Sequence, residues 1–172
     1  MEKTFIFGHK NPDTDSITSS LVMANFEEKM GNNVEACRLG KINKETEYVL
    51  NYLGIEAPKI IEKVEDGANV ILVDHNSPLE SIENLDKVNI LKIVDHHKVA
   101  IETSYPLFYR AEPVGCTETI LYKMYKENNI EVDKKIATLM MSAIISDTLL
   151  LNLQQLQKKI KKLLQNFQKL QN

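Results

Sequence analysis

The chain has 172 residues, 43% of them hydrophobic, and a formal net charge of -3. That length suits one domain, or a domain of about 150 residues with an appendage, and the apolar content excludes a disordered chain. The mildly acidic balance excludes broad, nonspecific nucleic-acid binding.

Along the chain, residues 3–7 (KTFIF) read as a short buried strand, ended by Gly8 and a loop through Asn11-Pro12. This apolar stretch is too short for a signal peptide, and no segment approaches the roughly 18 apolar residues of a membrane span, so a cytoplasmic location is expected. Residues 16–30 carry Ile17, Leu21, Val22, Met23 and Phe26 at helical spacing, stopped by Gly31-Asn32-Asn33. A strand at 34–38, a helix at 44–53 and a turn at Gly54 follow. The apolar runs ending at Asp74 and Asp95 read as buried strands, with a short helical patch near 79–85 between them. Pro113-Val114-Gly115 opens a helix to about Asn128, and residues 134–146 form a strongly apolar one. Cys37 and Cys116 belong to no C-x-x-C pattern and read as reduced thiols in or near the core. Alternating strands and helices predict an α/β fold, a mostly parallel sheet flanked by helices on both faces.

All four histidines lie within a few residues of an aspartate, each group following an apolar run. The groups are His9, Asp13 and Asp15; Asp74 and His75; and Asp95, His96 and His97. In parallel sheets ligands bind beyond the carboxyl ends of strands, so three clusters distant in sequence can meet at one sheet edge. Aspartate with neutral histidine suits a hard or borderline divalent metal such as manganese, cobalt or magnesium. Paired metals lower the pKa of a trapped water and present it to phosphorus, which makes phosphoester or phosphoanhydride hydrolysis the natural reaction. Taken singly, each cluster has a plainer reading. An Asp-His pair after a strand is commonly a turn, and Asp15 or Thr14 could cap the helix that follows. Asp147, at the end of an apolar helix, reads alone as a solvent-facing carboxylate. Three clusters that together use every histidine make coincidence a poor account.

The segments GHKNPDTDSI, VDHN, VDHHK and SDT, in that order, with EPVGCTET at 112–119, resemble the N-terminal domain of the manganese-dependent family II inorganic pyrophosphatases. That family belongs to the DHH phosphoesterase superfamily, named for the triplet that is Asp95-His96-His97 here, and the resemblance covers about residues 1–150. It implies that His9 and Asp13 bind one metal, that Asp15, His96 and Asp147 bind the other, and that Asp74 bridges them. It also implies that His97 lies near substrate phosphate, where it could hydrogen-bond an oxygen or help with proton transfer. Asp95 and His75 would orient ligands, a task such sites commonly require. The implied catalytic set is thus His97, Asp74 and Asp95. The implied cofactors are two manganese or cobalt ions, with magnesium arriving on the substrate, pyrophosphate. Lysine and arginine from a second, C-terminal domain grip the phosphates in that family.

After Ser146-Asp147-Thr148 the sequence departs from the family pattern. Residues 149–172 contain five lysines and no acid, which leaves residues 1–148 with a net charge of -8. Leu149, Leu153, Leu156, Ile160, Leu163, Phe167 and Leu170 form a coiled-coil seam of about three heptads, roughly 36 Å long if helical. Residues 1–148 are therefore expected to form a DHH metal-binding catalytic domain, and 149–172 a basic amphipathic helical tail in place of the substrate-binding domain. That helix could cover core surface, mediate a homo-oligomer, or bind an acidic membrane surface or partner; a chance sequence without a selected role is the remaining reading. The expected function is hydrolysis of pyrophosphate to two phosphates by a dinuclear metal-activated water, weak or lost without the second domain. Alternatives are a DHH-type phosphodiesterase or exopolyphosphatase, although Lys10 and Thr14 in the first motif resemble the pyrophosphatase form. A noncatalytic metal-binding protein that self-associates through its tail is the third. No nucleic-acid or membrane partner is expected.

Overall fold

The computed structural model describes residues 2–148. The expected tail at 149–172, with its leucine seam, lies outside the described residues. Six strands form one wholly parallel sheet: β1 (Thr4–Phe7), β2 (Val34–Arg38), β3 (Lys59–Ile60), β4 (Asn69–Val73), β5 (Asn89–Asp95) and β6 (Phe108–Ala111). Their order is β3-β2-β1-β4-β5-β6. The chain therefore builds outward from β1 in one direction and then, from β4, in the other. The reversal between β1 and β4 opens a crevice at their carboxyl ends.

Both faces of the sheet are covered, but unequally. Ile6, Ile71, Val73 and Val94 face a core built with α1 (Thr14–Lys29), α2 (Lys44–Leu53), α3 (Thr117–Glu127) and α4 (Lys134–Asp147). The alternate residues Phe7, Cys37, Val70, Leu72 and Ile93 face the other way. There the 3-10 turns Pro78–Glu80 and Leu85–Lys87 occupy the β4–β5 crossover, and Ile82, Leu85 and Val88 pack onto the sheet. The period-2 alternation of strand side chains thus separates two apolar layers. Both cysteines are buried free thiols.

Helix α1 is enclosed on nearly every side, which explains why Thr18, Ser19 and Ser20 are buried with its apolar residues. The Ser20 hydroxyl is satisfied by the Ile17 carbonyl, and the Tyr125 hydroxyl of α3 donates to the Val22 carbonyl of α1. The cap of α1 is Asp13, whose side chain accepts from the Ser16 amide at 3.0 Å. The plainer alternative, in which Asp15 or Thr14 caps the helix, is therefore not what is observed. Thr14 instead bonds Glu45 and Thr46 at the head of α2, and Asp15 points into the protein from the first turn.

Gly8 brings α1 close to β1. A Cβ there would lie inside contact distance of Ser16 Oγ and 2.7 Å from the Ser16 carbonyl oxygen. Its absence lets the first turn of α1 sit directly against the end of β1.

Candidate metal centre

The strand ends and two helix ends converge. His9 follows β1, Asp74 follows β4, and Asp95 is the last residue of β5, with His96 and His97 just beyond. Helix α1 starts over the same edge, carrying Asp13 as its cap and Asp15 in its first turn, and α4 terminates there at Asp147. All six residues expected to bind metal, and His97, expected to lie near phosphate, therefore share one sheet edge.

Their ligand atoms form three overlapping groups, each within 4.8 Å: His9, Asp13 and Asp74; Asp15, His96 and Asp147; and Asp74, His96 and His97. Asp74 joins the first and last. Its Oδ2 lies 3.4 Å from His9 Nε2, and its Oδ1 lies 3.3 Å from His96 Nε2. His9 Nε2 is also 3.6 Å from Asp13 Oδ1, and His96 Nε2 is 3.9 Å from Asp15 Oδ2. The backbone aids this placement, since Asp74 has φ 57 and its amide donates to the Val94 carbonyl at 3.0 Å. Left-handed conformations of nonglycine residues are uncommon, and aspartate tolerates them better than most.

Hydrogen bonds orient the imidazoles. His9 Nδ1 is 2.7 Å from the Lys10 carbonyl and His96 Nδ1 is 3.1 Å from the Val114 carbonyl. A ring nitrogen facing a carbonyl oxygen must be the N–H donor, so in a neutral ring Nε2 carries the free lone pair, as metal ligation requires. His97 differs. Asp95 Oδ1 accepts both its Nδ1–H at 2.8 Å and its backbone amide at 3.1 Å, and the ring is half exposed. His97, Lys98, Asn76, Leu79, His9 and Asp74 all line a cavity of about 570 Å³ beside the cluster. A wider cavity of about 1060 Å³ opens among Lys3, Lys59, Lys63 and Gly67 at the amino ends of the strands, remote from these groups. His75 lies underneath, with Nδ1 on the Val73 carbonyl and Nε2 on Ser81 Oγ. It supports the backbone leading to Asp74, and neither of its nitrogens is left for a metal.

The electrostatics are those of concentrated negative charge. Burial disfavours charge on His9, but hydrogen bonds to Asp13 and Asp74 outweigh it and push its pKa up to about 11. Burial likewise opposes charge on Asp74, yet His9 and His96 hold its carboxyl well below the usual range. Asp147 goes the other way, pushed up to about 7 by burial and by the charges of Asp13 and Asp74. Burial, with the charges of Asp74 and Asp147, also raises Asp15. Protonated histidines thus serve as counter-charges for the cluster, while protonation of Asp15 and Asp147 removes negative charge from it. Divalent cations would replace those protons. The oxygen and imidazole donors, with no thiolate among the three groups, fit a cation of manganese type.

Two further side chains complete the arrangement and carry little signal in the sequence. Thr117, fully buried at the head of α3, donates its amide to Asp15 Oδ2 at 2.6 Å and its hydroxyl to Asp74 Oδ1 at 2.9 Å. Asn76 donates to Asp95 Oδ2 and to the Lys98 carbonyl, and accepts from the Ala100 amide. Both stand inside the quoted segments EPVGCTET and VDHN, but only the tertiary structure shows what they touch.

The model of the DHH family, N-terminal domain, matches residues 3–144. The chain belongs to the DHH family. Among its relatives, the manganese-dependent inorganic pyrophosphatase of Bacillus subtilis is 55% identical over 152 residues, which are 87% of this chain and 49% of the relative. A protein of Oceanobacillus iheyensis described as a probable manganese-dependent inorganic pyrophosphatase is 57% identical over 152 residues, 88% of this chain and 49% of its own length. This DHH chain spans about half the length of the curated relatives it matches. A crystal structure described as that of a Methanococcus jannaschii "putative family II inorganic pyrophosphatase" superposes with a TM-score of 0.88. It is 37% identical, and the match covers 97% of this chain and 56% of that one. An exopolyphosphatase-related protein from Bacteroides fragilis matches at TM-score 0.77 and 14% identity over 99% of this chain and 53% of that one, a likeness of DHH fold alone.

Proposed function

We propose that the chain binds two manganese ions and hydrolyses inorganic pyrophosphate to two phosphates. The observation that carries this reading is the disposition of Asp74, whose two oxygens face His9 and His96 separately, between the His9/Asp13 and Asp15/His96/Asp147 groups. His9 and Asp13 would hold one ion, Asp15, His96 and Asp147 the other, and Asp74 both. When bound, such a pair supplies Lewis acidity and a water of lowered pKa. In the reaction the water oxygen bonds to one phosphorus, the bridging P–O bond breaks, and the departing phosphate takes up a proton.

The protein's own part is positioning and proton handling. Asp95 ties down Nδ1 of His97, so its Nε2 is the free nitrogen beside the cleft. The hydrogen bond that His97 donates to Asp95 raises the His97 pKa, which favours the imidazolium that can bond a phosphate oxygen and return a proton to it. Asp95 does this best as a carboxylate: although burial opposes the charge, His97 and Asn76 hold its pKa down. Among the described residues, Lys98 is the sole lysine or arginine lining this cavity. A substrate of about four negative charges needs more clamping than that, and positioning and charge neutralisation are each worth several kcal/mol. We therefore expect weak turnover. The names of the more similar relatives favour pyrophosphate over a nucleotide diester or polyphosphate. Among the described residues no helix is long and apolar enough to cross a membrane, which accords with the cytoplasmic location we propose.

A phosphate-release assay on the full chain with manganese, with magnesium and with a chelator tests the proposal, repeated for Asp74→Ala. Slow release that requires manganese and falls to background in Asp74→Ala is the expected result. Release indifferent to the chelator or to the substitution would contradict it. A rate matching a full-length relative would contradict the expectation of weak turnover.

A further inference from the structure

A carboxylate does not orient itself. The terminal torsion of an aspartate side chain is broad and roughly two-fold, so the plane in which its oxygens lie is set by what bonds them. For Asp74 and Asp15 the same residue supplies that constraint. The Thr117 hydroxyl donates to Asp74 Oδ1 at 2.9 Å, and the Thr117 amide donates to Asp15 Oδ2 at 2.6 Å. The second oxygen of Asp15 is held by the Ser19 hydroxyl at 2.9 Å. Thr117 is fully buried, so water does not compete for either bond. The amide it offers is one that a helix start leaves unpaired, and the Cys116 side chain makes no cap in its place.

We propose that Thr117 is a positioning residue that fixes the carboxylate planes of Asp15 and Asp74 together and thereby couples the two metal half-sites. The inference rests on the two-ion reading above. Asp15 belongs to the group with His96 and Asp147, and Asp74 to the group with His9 and Asp13. One residue at the head of α3 therefore touches a carboxylate of each. Loss of its hydroxyl releases the shared ligand while leaving the amide bond to Asp15 in place.

Thr117→Val removes the hydroxyl and keeps the shape; Thr117→Ser keeps the hydroxyl and drops the methyl. Free manganese is measured by electron paramagnetic resonance while each metal-free full-length chain is titrated at fixed pH, with circular dichroism confirming the fold. The expected result is affinity weakened about 10- to 100-fold in Thr117→Val, the range typical of groups that orient metal ligands, with Thr117→Ser close to the parent. Should valine not be accommodated, Thr117→Ala takes its place in the same comparison. Parent-like binding by the valine or alanine variant overturns the inference, as does a serine variant weakened as far as either. If the parent itself binds no manganese, the two-ion reading fails and this inference with it; the parent titration therefore separates the two failures.

Discussion

Asp74 is asked to do more than any other residue of the cluster. It adopts φ 57, lies almost wholly buried, and faces two histidines and a threonine hydroxyl. Such strain persists where surrounding contacts over-determine it, and here the amide bond to Val94 and His75 bound to the Val73 carbonyl do so. Asn76 plays a comparable part for the loop after β5. Truncating it in Asn76→Ala strips a donor from buried Asp95 and leaves the Ala100 amide without its acceptor. Leaving the buried Asp95 oxygen without its donor costs about 1–3 kcal/mol, so thermal unfolding of the metal-free variant should move down by several degrees. An unchanged melting temperature would show that water replaces the amide without loss. The histidines were legible in the sequence because the residue type is rare and clustered. Thr117 and Asn76 were not, since threonine and asparagine near a helix start or a turn are ordinary there and the bonds that distinguish these two reach across 102, 43 and 19 residues. Asp147 stands between these cases. A carboxylate in the last turn of a helix sits at the unfavourable end of the macrodipole, a local oddity that hints at a role without naming it.

Among the elements, the buried strands and the four helices could be read from apolar runs and helical periodicity, and the residues expected for β2 and α2 coincide with those observed. Two strands went unread for physical reasons. β3 is two residues long with both exposed, and β6 (FYRA) has no buried residue and, among the described residues, pairs only with β5. Strands of this kind carry no core alternation, and nothing in local composition separates them from loop. The contact between β1 and α1 was equally hidden, because a glycine marks a turn as readily as a close approach. Gly8→Ala tests it. The added methyl meets the Ser16 carbonyl oxygen at 2.7 Å and its Cα at 2.9 Å, so trimming the Ser16 hydroxyl cannot relieve it. Overpacking of this kind typically costs about 1–3 kcal/mol. The first turn of α1 should also shift and weaken manganese binding through Asp13 and Asp15. Denaturant unfolding of the metal-free chain and a manganese titration read the two effects separately; parent-like values in both would show that the loop absorbs the methyl.

At the scale of the whole molecule, the charge cluster predicts how stability follows pH. The folded pKa of His9, about 11, exceeds its ordinary value of 6.5, because bonds to Asp13 and Asp74 overcome the opposing effect of burial. Its contribution is complete below about 6.5 and is lost as pH rises toward 11. Asp147, raised from 3.8 to about 7 by burial and neighbouring carboxylates, acts in the same sense, its contribution fading as pH climbs through that interval. The metal-free chain should therefore melt at lower temperature from pH 6 to pH 9. Manganese requires deprotonated ligands, so its binding releases protons and tightens over the same range. The melting-temperature gap between manganese-loaded and chelated protein should widen with pH; a gap that stays constant or narrows would contradict this electrostatic picture. One edge of the sheet is proposed to hold two adjacent ions through Asp74. The most direct test is a manganese titration of the full chain, followed by electron paramagnetic resonance of the bound metal. Two ions per chain, with a spin-coupled spectrum that disappears in Asp74→Ala, are expected. Binding of a single ion, or of two ions whose spectra are uncoupled and unaffected by that substitution, would contradict this proposal.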